Sequence, residues 1–558
     1  MKLTGAQIVV ETLLDHGVDT VFGYPGGTAL NIYDELYKNS ERIHHVLTAD
    51  EQGASYAADG YARATGKTGI CMSTSGPGAT NLVTGIATAC LDSIPVIAIT
   101  ANVPDTLIGK DAFQEIDIVG ITMPITKHNF FVTKIEELQE TIRRAFQIAN
   151  SGRKGPVLID ITKDVTAASY EFEHMDPLPL RHHPKIDREK MQEAIKMINS
   201  AEKPVLYIGG GVKASEGAVE LVRRLAEKAD IPVVHTLMAA GVIESDHPLN
   251  LGMLGMHGTV AANRAIDQAD LVIALGGRFS DRVALDPKRW ARRARILQVD
   301  IDNSEVDKNV IVDRAVIADV SDFLAETLPQ IKEEKHDEWR ERVTGWKGKV
   351  RKLNEEARVD SPMHPYQIMD TINKYIDEDT IITTDVGQHQ MWAAQFLKHY
   401  RPERFITSGG LGTMGYGYAA AIGAGLGCPG HRIIHITGDG SFQMNLNEVV
   451  TSIDQNVPII TVILNNGTLG MVYQLQETFQ GGRHSNTVIH RHVDYAKVAE
   501  GFGAEGYRVE TPEELSDALR KAVESDVSVW IECVISEEER VLPFIPGGKT
   551  VDDMILQY

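Results

Sequence analysis

Short runs of β-branched and other apolar residues recur along this chain, each followed by a helical pattern: ICMST then NLVTGIATACL, PVIAIT, PVLYIGG, LVIALGG, RIIHITG and PIITVIL. A strand that is apolar on both faces must be covered on both, and helices alternating with such strands supply the cover, so parallel sheets wound by helices are expected. The fold class read from this pattern is α/β. At 558 residues the chain exceeds what one core can organise, and three or four domains are expected. Two stretches break the alternation, 168–188, rich in Pro and His, and 330–364, highly charged and ending in prolines. Read as connectors, they leave modules at 1–167, 188–328 and 365–535.

The first and third modules share a plan. Gly76 and Gly78 lead through a helical stretch to Pro95 and a strand reaching Asn102, and Gly438 and Gly440 lead likewise to Pro458 and Asn465. Each module is expected to be a doubly wound parallel sheet, the outer two alike and the middle one Rossmann-like, with a ligand site between the similar pair.

With 55 basic against 77 acidic residues the net charge is −22, which repels phosphodiester backbones and anionic lipid surfaces and argues against nucleic acid as a partner. The opening MKLTGAQIVVETLLDHG carries Glu11 and Asp15 in an amphipathic pattern, unlike a signal peptide, and no apolar run approaches the ~20 residues of a membrane span. Cys71, Cys90, Cys428 and Cys533 lie scattered without metal-ligand spacing, which fits a reducing cytoplasm.

The sharpest local signal is RIIHITGDGSFQMNLNEVVTSIDQNVPIITVILNNGTLG. One strand ends at Gly438, Asp439 and Gly440, and a second ends at Asn465 and Asn466. Parallel neighbours would place both loops at one carboxyl edge, where a helix beginning near Ser441 aims its free N–H groups at an anion. Magnesium keeps phosphate oxygens among its six ligands, so the protein need supply only a few more oxygens. Asp439, the Asn466 amide and the Thr468 carbonyl can supply them. Taken alone, GDG is more often a tight turn with a capping Asp; GDG with NN at the next strand end, Asn466 lying 27 residues after Asp439, resembles the signature of thiamine-diphosphate enzymes.

That cofactor needs a carboxylic acid in a dry pocket to hold its pyrimidine ring. Glu51, following HHVLTAD and opening a small-residue helix, is the candidate, although an acidic residue there is usually dipole complementation. GYPGG at 23–27, Glu51 and SGPGATN at 75–81 stand in the order of that family's pyrimidine-binding domain. The resemblance runs on through GKDAFQE, GMLGMHG, GGRFSDRV, TTDVGQHQMW, GGLGTMGYG, NNGTLGMVYQ and LPFIPGGKTVDDMI, and it is to the catalytic subunits of acetolactate synthases.

The resemblance implies decarboxylation of pyruvate and joining of the two-carbon remainder to a second pyruvate or 2-ketobutyrate, as in branched-chain amino acid biosynthesis. It implies thiamine diphosphate, Mg2+ and FAD as cofactors. Tyr24, Pro25 and Gly26 would line the pyrimidine end with Glu51. Gly412 would offer a carbonyl to the 4'-amino group, and Met414 would hold the cofactor bent. Gln388 and His389, with Gly440 and Ser441, would contact diphosphate. Phe113, Gln114, Lys163, Met256, Asp281, Arg282 and Met471 match the substrate pocket, Arg282 being the expected fork for the second acid's carboxylate; without the resemblance, Arg282 would be read as a surface ion pair. In the middle module Gly209, Gly210 and Gly211 end a strand and are by themselves equally a plain loop. The resemblance aligns them with flavin contacts, along with Thr236, Leu237, Met238, His257, Gly277, Arg278, Asp300 and Asp319.

There are departures. Leu475 stands where biosynthetic relatives have a tryptophan that favours 2-ketobutyrate and stacks on sulfonylurea herbicides, so weak selection between keto acids and poor herbicide sensitivity are expected. Asn102 replaces a common Gln-Val pair, and Thr162 a common proline. Rival readings are a pyruvate oxidase, a catabolic flavin-free acetolactate synthase, and a non-enzymatic binding protein. The family builds each site from two chains, which implies at least a homodimer, with a tetramer expected and room for a small regulatory subunit.

Overall fold

A computed structural model describes residues 1–181, 183, 185–356, 359–490 and 493–557. Its three large sheets follow the apolar runs. The N-terminal sheet consists of β1 (Thr20–Gly23), β2 (His44–Leu47), β3 (Gly69–Ser73), β4 (Val96–Asn102), β5 (His128–Val132) and β6 (Val157–Thr162). The middle sheet contains β7 (Pro204–Ile208), β8 (Val233–His235), β9 (Asn250–Met253), β10 (Leu271–Leu275), β11 (Arg295–Asp300) and β12 (Arg314–Ile317). The C-terminal sheet contains β13 (Ile381–Thr384), β14 (Phe405–Thr407), β15 (Ile433–Gly438), β16 (Ile460–Asn465), β17 (Glu505–Val509) and β18 (Val529–Val534).

Every pairing within these sheets is parallel. The inner strands β3, β4 and β6 are buried along their whole length, which is why they read as unbroken apolar runs rather than alternating ones. Each sheet carries an apolar cluster on either face, so the α/β class and the doubly wound layering expected from the sequence are present.

The strand order is β2-β1-β3-β4-β6-β5 in the first sheet and β14-β13-β15-β16-β18-β17 in the third. These are one topology, and the repeat seen in the sequence is its trace: Gly76 lies just past the third strand of the first sheet and Gly438 at the end of the third strand of the last, and Asn102 and Asn465 end the fourth. The middle sheet runs β9-β8-β7-β10-β11-β12, the Rossmann order, with its switch point between β7 and β10.

Four helices place the site: α1 (Glu51–Thr65), α2 (Val83–Asp92), α3 (Gly417–Gly427) and α4 (Gly470–Gln480). Helices α1 and α3 lock the outer modules together, and small residues let their backbones touch. A Cβ added to Gly60 would stand 2.2 Å from the Ala420 carbonyl oxygen, and one added to Gly423 would stand 1.8 Å from that of Ala57. Beside this seam Arg63 meets Asp59 at 2.6 Å and Asp92 at 2.8 Å, with all three side chains buried, and donates to the Thr407 carbonyl at 3.0 Å. Tyr416 donates its hydroxyl to Asp59. Removing one member would strand a buried charge, so the network specifies one docking of the two modules.

The connectors are partly structured. Ser169–Glu171 pairs antiparallel with Lys2–Thr4. Helices Asp337–Thr344 and Lys349–Glu356 occupy the charged stretch, and Trp339 sinks into the middle module, donating its indole N–H to the Pro204 carbonyl at 3.0 Å. Residues 182, 184, 357 and 358 of the two connectors lie outside the described part. Among the described residues no helix is long and apolar enough to cross a membrane.

Candidate active site

Pairing of Gly438 with Leu464 puts the ends of β15 and β16 side by side, so Asp439 and Asn466 share one carboxyl edge. Asp439 is buried and forms no ion pair among the described residues. Burial raises its carboxyl to about 7, against the pull of the backbone N–H groups of Asp439, Gly440 and Asn466. A buried carboxylate without a cation is what a divalent ion would satisfy. The Asn466 amide oxygen accepts the Thr468 N–H at 3.0 Å, and its NH2 donates to the Gln388 side-chain oxygen at 3.3 Å. Thr468 is pinned by flanking bonds, Ile489 N–H to the Gly467 carbonyl at 2.7 Å and Leu469 N–H to the Thr487 carbonyl at 2.8 Å.

Gly438 lies against His389, whose Nδ1 would be 2.9 Å from an added Cβ. Burial lowers the His389 imidazole to about 4, so it is neutral, and its Nε2 is buried without a partner, as is the Thr468 hydroxyl. Ser441 receives the Gly415 N–H at 3.1 Å, tying the diphosphate loop to the 409–417 loop. There Gly412 adopts φ +71°, Met414 is half-buried, and Asp92 accepts the N–H groups of Gly409 at 3.1 Å and Gly410 at 2.7 Å. Asp439, Asn466, Thr468, Gln388, His389, Gly438, Gly440 and Ser441 thus form one cluster, and the unpartnered His389 and Thr468 atoms fit a phosphate–metal group.

Glu51 is the first residue of α1, after the N-cap Asp50, and is buried. Its Oε2 accepts from the Asn81 side chain at 3.0 Å, while Gly78 leaves its other oxygen room: a Cβ there would be 2.9 Å from Oε1. Gly26 packs on Thr74, which would meet an added Cβ at 2.4 Å, and so seats the exposed Tyr24 and Pro25 beside this pocket. Asn81 was missed in the sequence reading, although it closes the SGPGATN motif.

The substrate-pocket residues fall into two groups. Lys163 follows the end of β6, and Phe113 and Gln114 lie in the loop after β4, Gln114 against Gly76 just past β3. Gln114 holds φ +61° over Gly76, and Phe113 is 86% exposed. Arg282 approaches the Met256 sulfur at 3.9 Å and Asp281 at 3.5 Å, and both charged side chains are largely exposed. The C-terminal tail joins this second group, Ile545 donating its N–H to the Met256 carbonyl at 2.9 Å. Met471 and Leu475, one turn apart on α4, are half-buried. Among the described residues no hydrogen bond or ion pair joins the first group to Arg282. Asn102 donates to the buried Asp160 at 2.7 Å, and Thr162 precedes the helix that Lys163 opens, its hydroxyl donating to the Val132 carbonyl at 3.4 Å rather than capping the helix.

At the switch point of the middle sheet, Gly209 and Gly211 accommodate the backbone of Gly276 and Gly277, within 2.3–2.7 Å of their added Cβ positions, while Gly210 faces Met238. Leu237 and Met238 are half-buried in the turn after Thr236. The Thr236 hydroxyl and the His257 Nε2 are buried without partners, and burial lowers His257 to about 3. Asp300 is raised to about 6 by burial. Asp319 caps a helix and accepts from Ser215 at 2.5 Å, and the Arg278 carbonyl accepts from Tyr207 at 2.6 Å. Arg153, overlooked in the sequence, reaches across from the first module to Asp302 at 3.1 Å and Glu305 at 2.8 Å.

The sequence matches three family descriptions: "Thiamine pyrophosphate enzyme, N-terminal TPP binding domain" over residues 3–121, "central domain" over 191–327 and "C-terminal TPP binding domain" over 385–533. Among curated proteins it is 44% identical to the "Probable acetolactate synthase large subunit" of Methanocaldococcus jannaschii, over 99% of this chain and 95% of that one. It is 43% identical to the "Acetolactate synthase large subunit" of Corynebacterium glutamicum, covering 99% and 90%. With the "Acetolactate synthase isozyme 1 large subunit" of Escherichia coli K12 it shares 42%, covering 99% and 98%.

Proposed function

Because the chain belongs to the acetolactate synthase large subunits of the thiamine-diphosphate enzymes, we propose the following division of labour for its decarboxylation of pyruvate and ligation to a second 2-keto acid. Thiamine diphosphate supplies the electron sink that makes loss of CO2 accessible. Asp439, the Asn466 amide oxygen and the Thr468 carbonyl hold Mg2+. The N–H groups at Gly440 and Ser441, with Gln388 and His389, take the diphosphate. Glu51 holds a proton at the pyrimidine nitrogen, fixed by Asn81, and the Gly412 carbonyl accepts from the 4'-amino group. Arg282 takes the carboxylate of the second acid in a two-pronged hydrogen bond, with Met256, Met471 and Leu475 as its apolar wall and Phe113, Gln114 and Lys163 on the opposite side.

The observation that carries this reading is the buried, unpaired Asp439 beside Asn466, with the unpartnered His389 Nε2 and Thr468 hydroxyl in the same cluster. FAD is proposed at the middle switch point, supported by the unpartnered Thr236 hydroxyl and His257 nitrogen. A homodimer, and a tetramer beyond it, is supported by exposed apolar side chains beside both half-sites: Tyr24, Leu30 and Phe113 on one, Leu411 and Met444 on the other. Relatives named large subunits support a small regulatory partner, and four free cysteines support a reducing cytoplasm.

Incubation with pyruvate, thiamine diphosphate and Mg2+, followed by product analysis, tests the function. Acetolactate formed only with both cofactors is expected. Acetate or acetyl phosphate formed while a bound flavin bleaches would show an oxidase instead.

A further inference from the structure

Glu448 has no part in the chemistry above, yet its carboxylate is wholly buried and leaves its own module. It sits at the end of the Leu446–Glu448 turn, nine residues past Asp439. Both of its oxygens lie 3.2 Å from the Ala49 N–H, Oε1 also receives the Asp50 N–H at 3.2 Å, and the Thr451 hydroxyl donates to Oε2 at 2.7 Å. Burial pushes the Glu448 carboxyl up to about 7, while these three donors favour the ionised form, which only accepts, so one side chain satisfies three donors at once. Gly53 makes the room: a Cβ there would lie 1.8 Å from Oε1. The turn so held runs straight into Glu51, and the Thr48 hydroxyl, donating to the Asp50 carbonyl at 2.7 Å, tightens it from the other side.

We propose that Glu448 is a positioning residue for Glu51 of its own chain, serving the pyrimidine end of a site although it belongs to the module that anchors diphosphate. The proposal rests on the reading of Glu51 given above. Where each site joins Glu51 of one chain to the Asp439 loop of the other, Glu448 acts on the site opposite to the one its own module anchors. The wild-type enzyme needs this contact because Glu51 must meet the ring within about 0.5 Å, and the Thr48 and Asp50 side chains tie the turn only to itself, whereas Glu448 ties it to the third module.

Two measurements test this. In Glu448→Gln, whose amide presents a donor to N–H groups that need an acceptor, exchange of the C2 proton of bound thiamine diphosphate into D2O should slow about 10- to 100-fold, with cofactor affinity unchanged. Gly53→Ala, which displaces the same carboxylate, should do the same. Wild-type exchange in either variant that keeps its Tm and assembly, or weakened cofactor binding with normal exchange, would overturn the proposal. The second measurement uses hybrid dimers. A Glu51→Gln chain paired with an Asp439→Asn chain should keep one working site, which checks that sites are shared. Glu448→Gln paired with Asp439→Asn should match that control, and Glu448→Gln paired with Glu51→Gln should fall to about half the activity per dimer of the Glu448→Gln homodimer. The reverse pattern in the last two would place Glu448 in the diphosphate half and overturn the proposal. An inactive control hybrid would overturn the sharing of sites, and the exchange rate alone would then decide on Glu448.

Discussion

Asp439 bears the cost of the metal site when no metal is present. Its folded value, raised from 3.8 to about 7, means the acid form is favoured by the fold, so its contribution to stability is full below about pH 4 and is lost as pH rises through 7. Metal-free wild type should therefore lose stability relative to Asp439→Asn across that window, by on the order of a few kcal/mol at pH 8. Mg2+ and thiamine diphosphate should reverse the order. Thermal melts of both proteins against pH check this, and a pH-independent difference would contradict it. Leu475→Trp, one turn from Met471, should raise the ratio of acetohydroxybutyrate to acetolactate in a competition assay and confer herbicide sensitivity. An unchanged ratio would show that residue 475 does not line the pocket. Asp439 and Glu51 were legible because strand ends and helix starts can be read from local pattern. Asn81 and Glu448 were not, since nothing local says that an amide will reach Glu51 or that a carboxylate will reach a turn 399 residues away.

The element that joins the outer modules is the α1–α3 pair, and its fit depends on glycine. Gly60→Ala or Gly423→Ala would force Cβ into backbone and should cost about 1–3 kcal/mol, seen as a Tm lowered by several degrees with activity falling in parallel. An unchanged Tm would mean that the helices separate freely. The sequence showed α1 as a small-residue helix without showing its partner, because close packing is a property of two surfaces. Gly209 to Gly211 teach the same point. By themselves they read equally as a ligand approach or a plain loop, and the fold uses Gly209 and Gly211 to bring the β7 turn against the β10 turn, leaving Gly210 to face Met238.

For the molecule as a whole, the topology shared by the first and third sheets was readable from the glycine–proline–asparagine spacing, since turns and strand lengths repeat when a fold repeats. How modules meet was less readable. Arg153 bridges to Asp302 and Glu305 just past the end of β11, where Asp300 is an expected flavin contact, and this predicts that Arg153→Met lowers bound flavin per chain roughly tenfold while leaving the fold intact. Flavin released on denaturation measures it, and full occupancy would contradict it. The central claim is that Glu51 and the Asp439–Asn466 edge act on one cofactor. A structure of the assembled enzyme with thiamine diphosphate and Mg2+ tests it most directly. The account predicts the Glu51 carboxyl within about 2.6–3.2 Å of the pyrimidine nitrogen, with the diphosphate on the metal at Asp439. A cofactor seated elsewhere, or Glu51 turned to solvent, would contradict it.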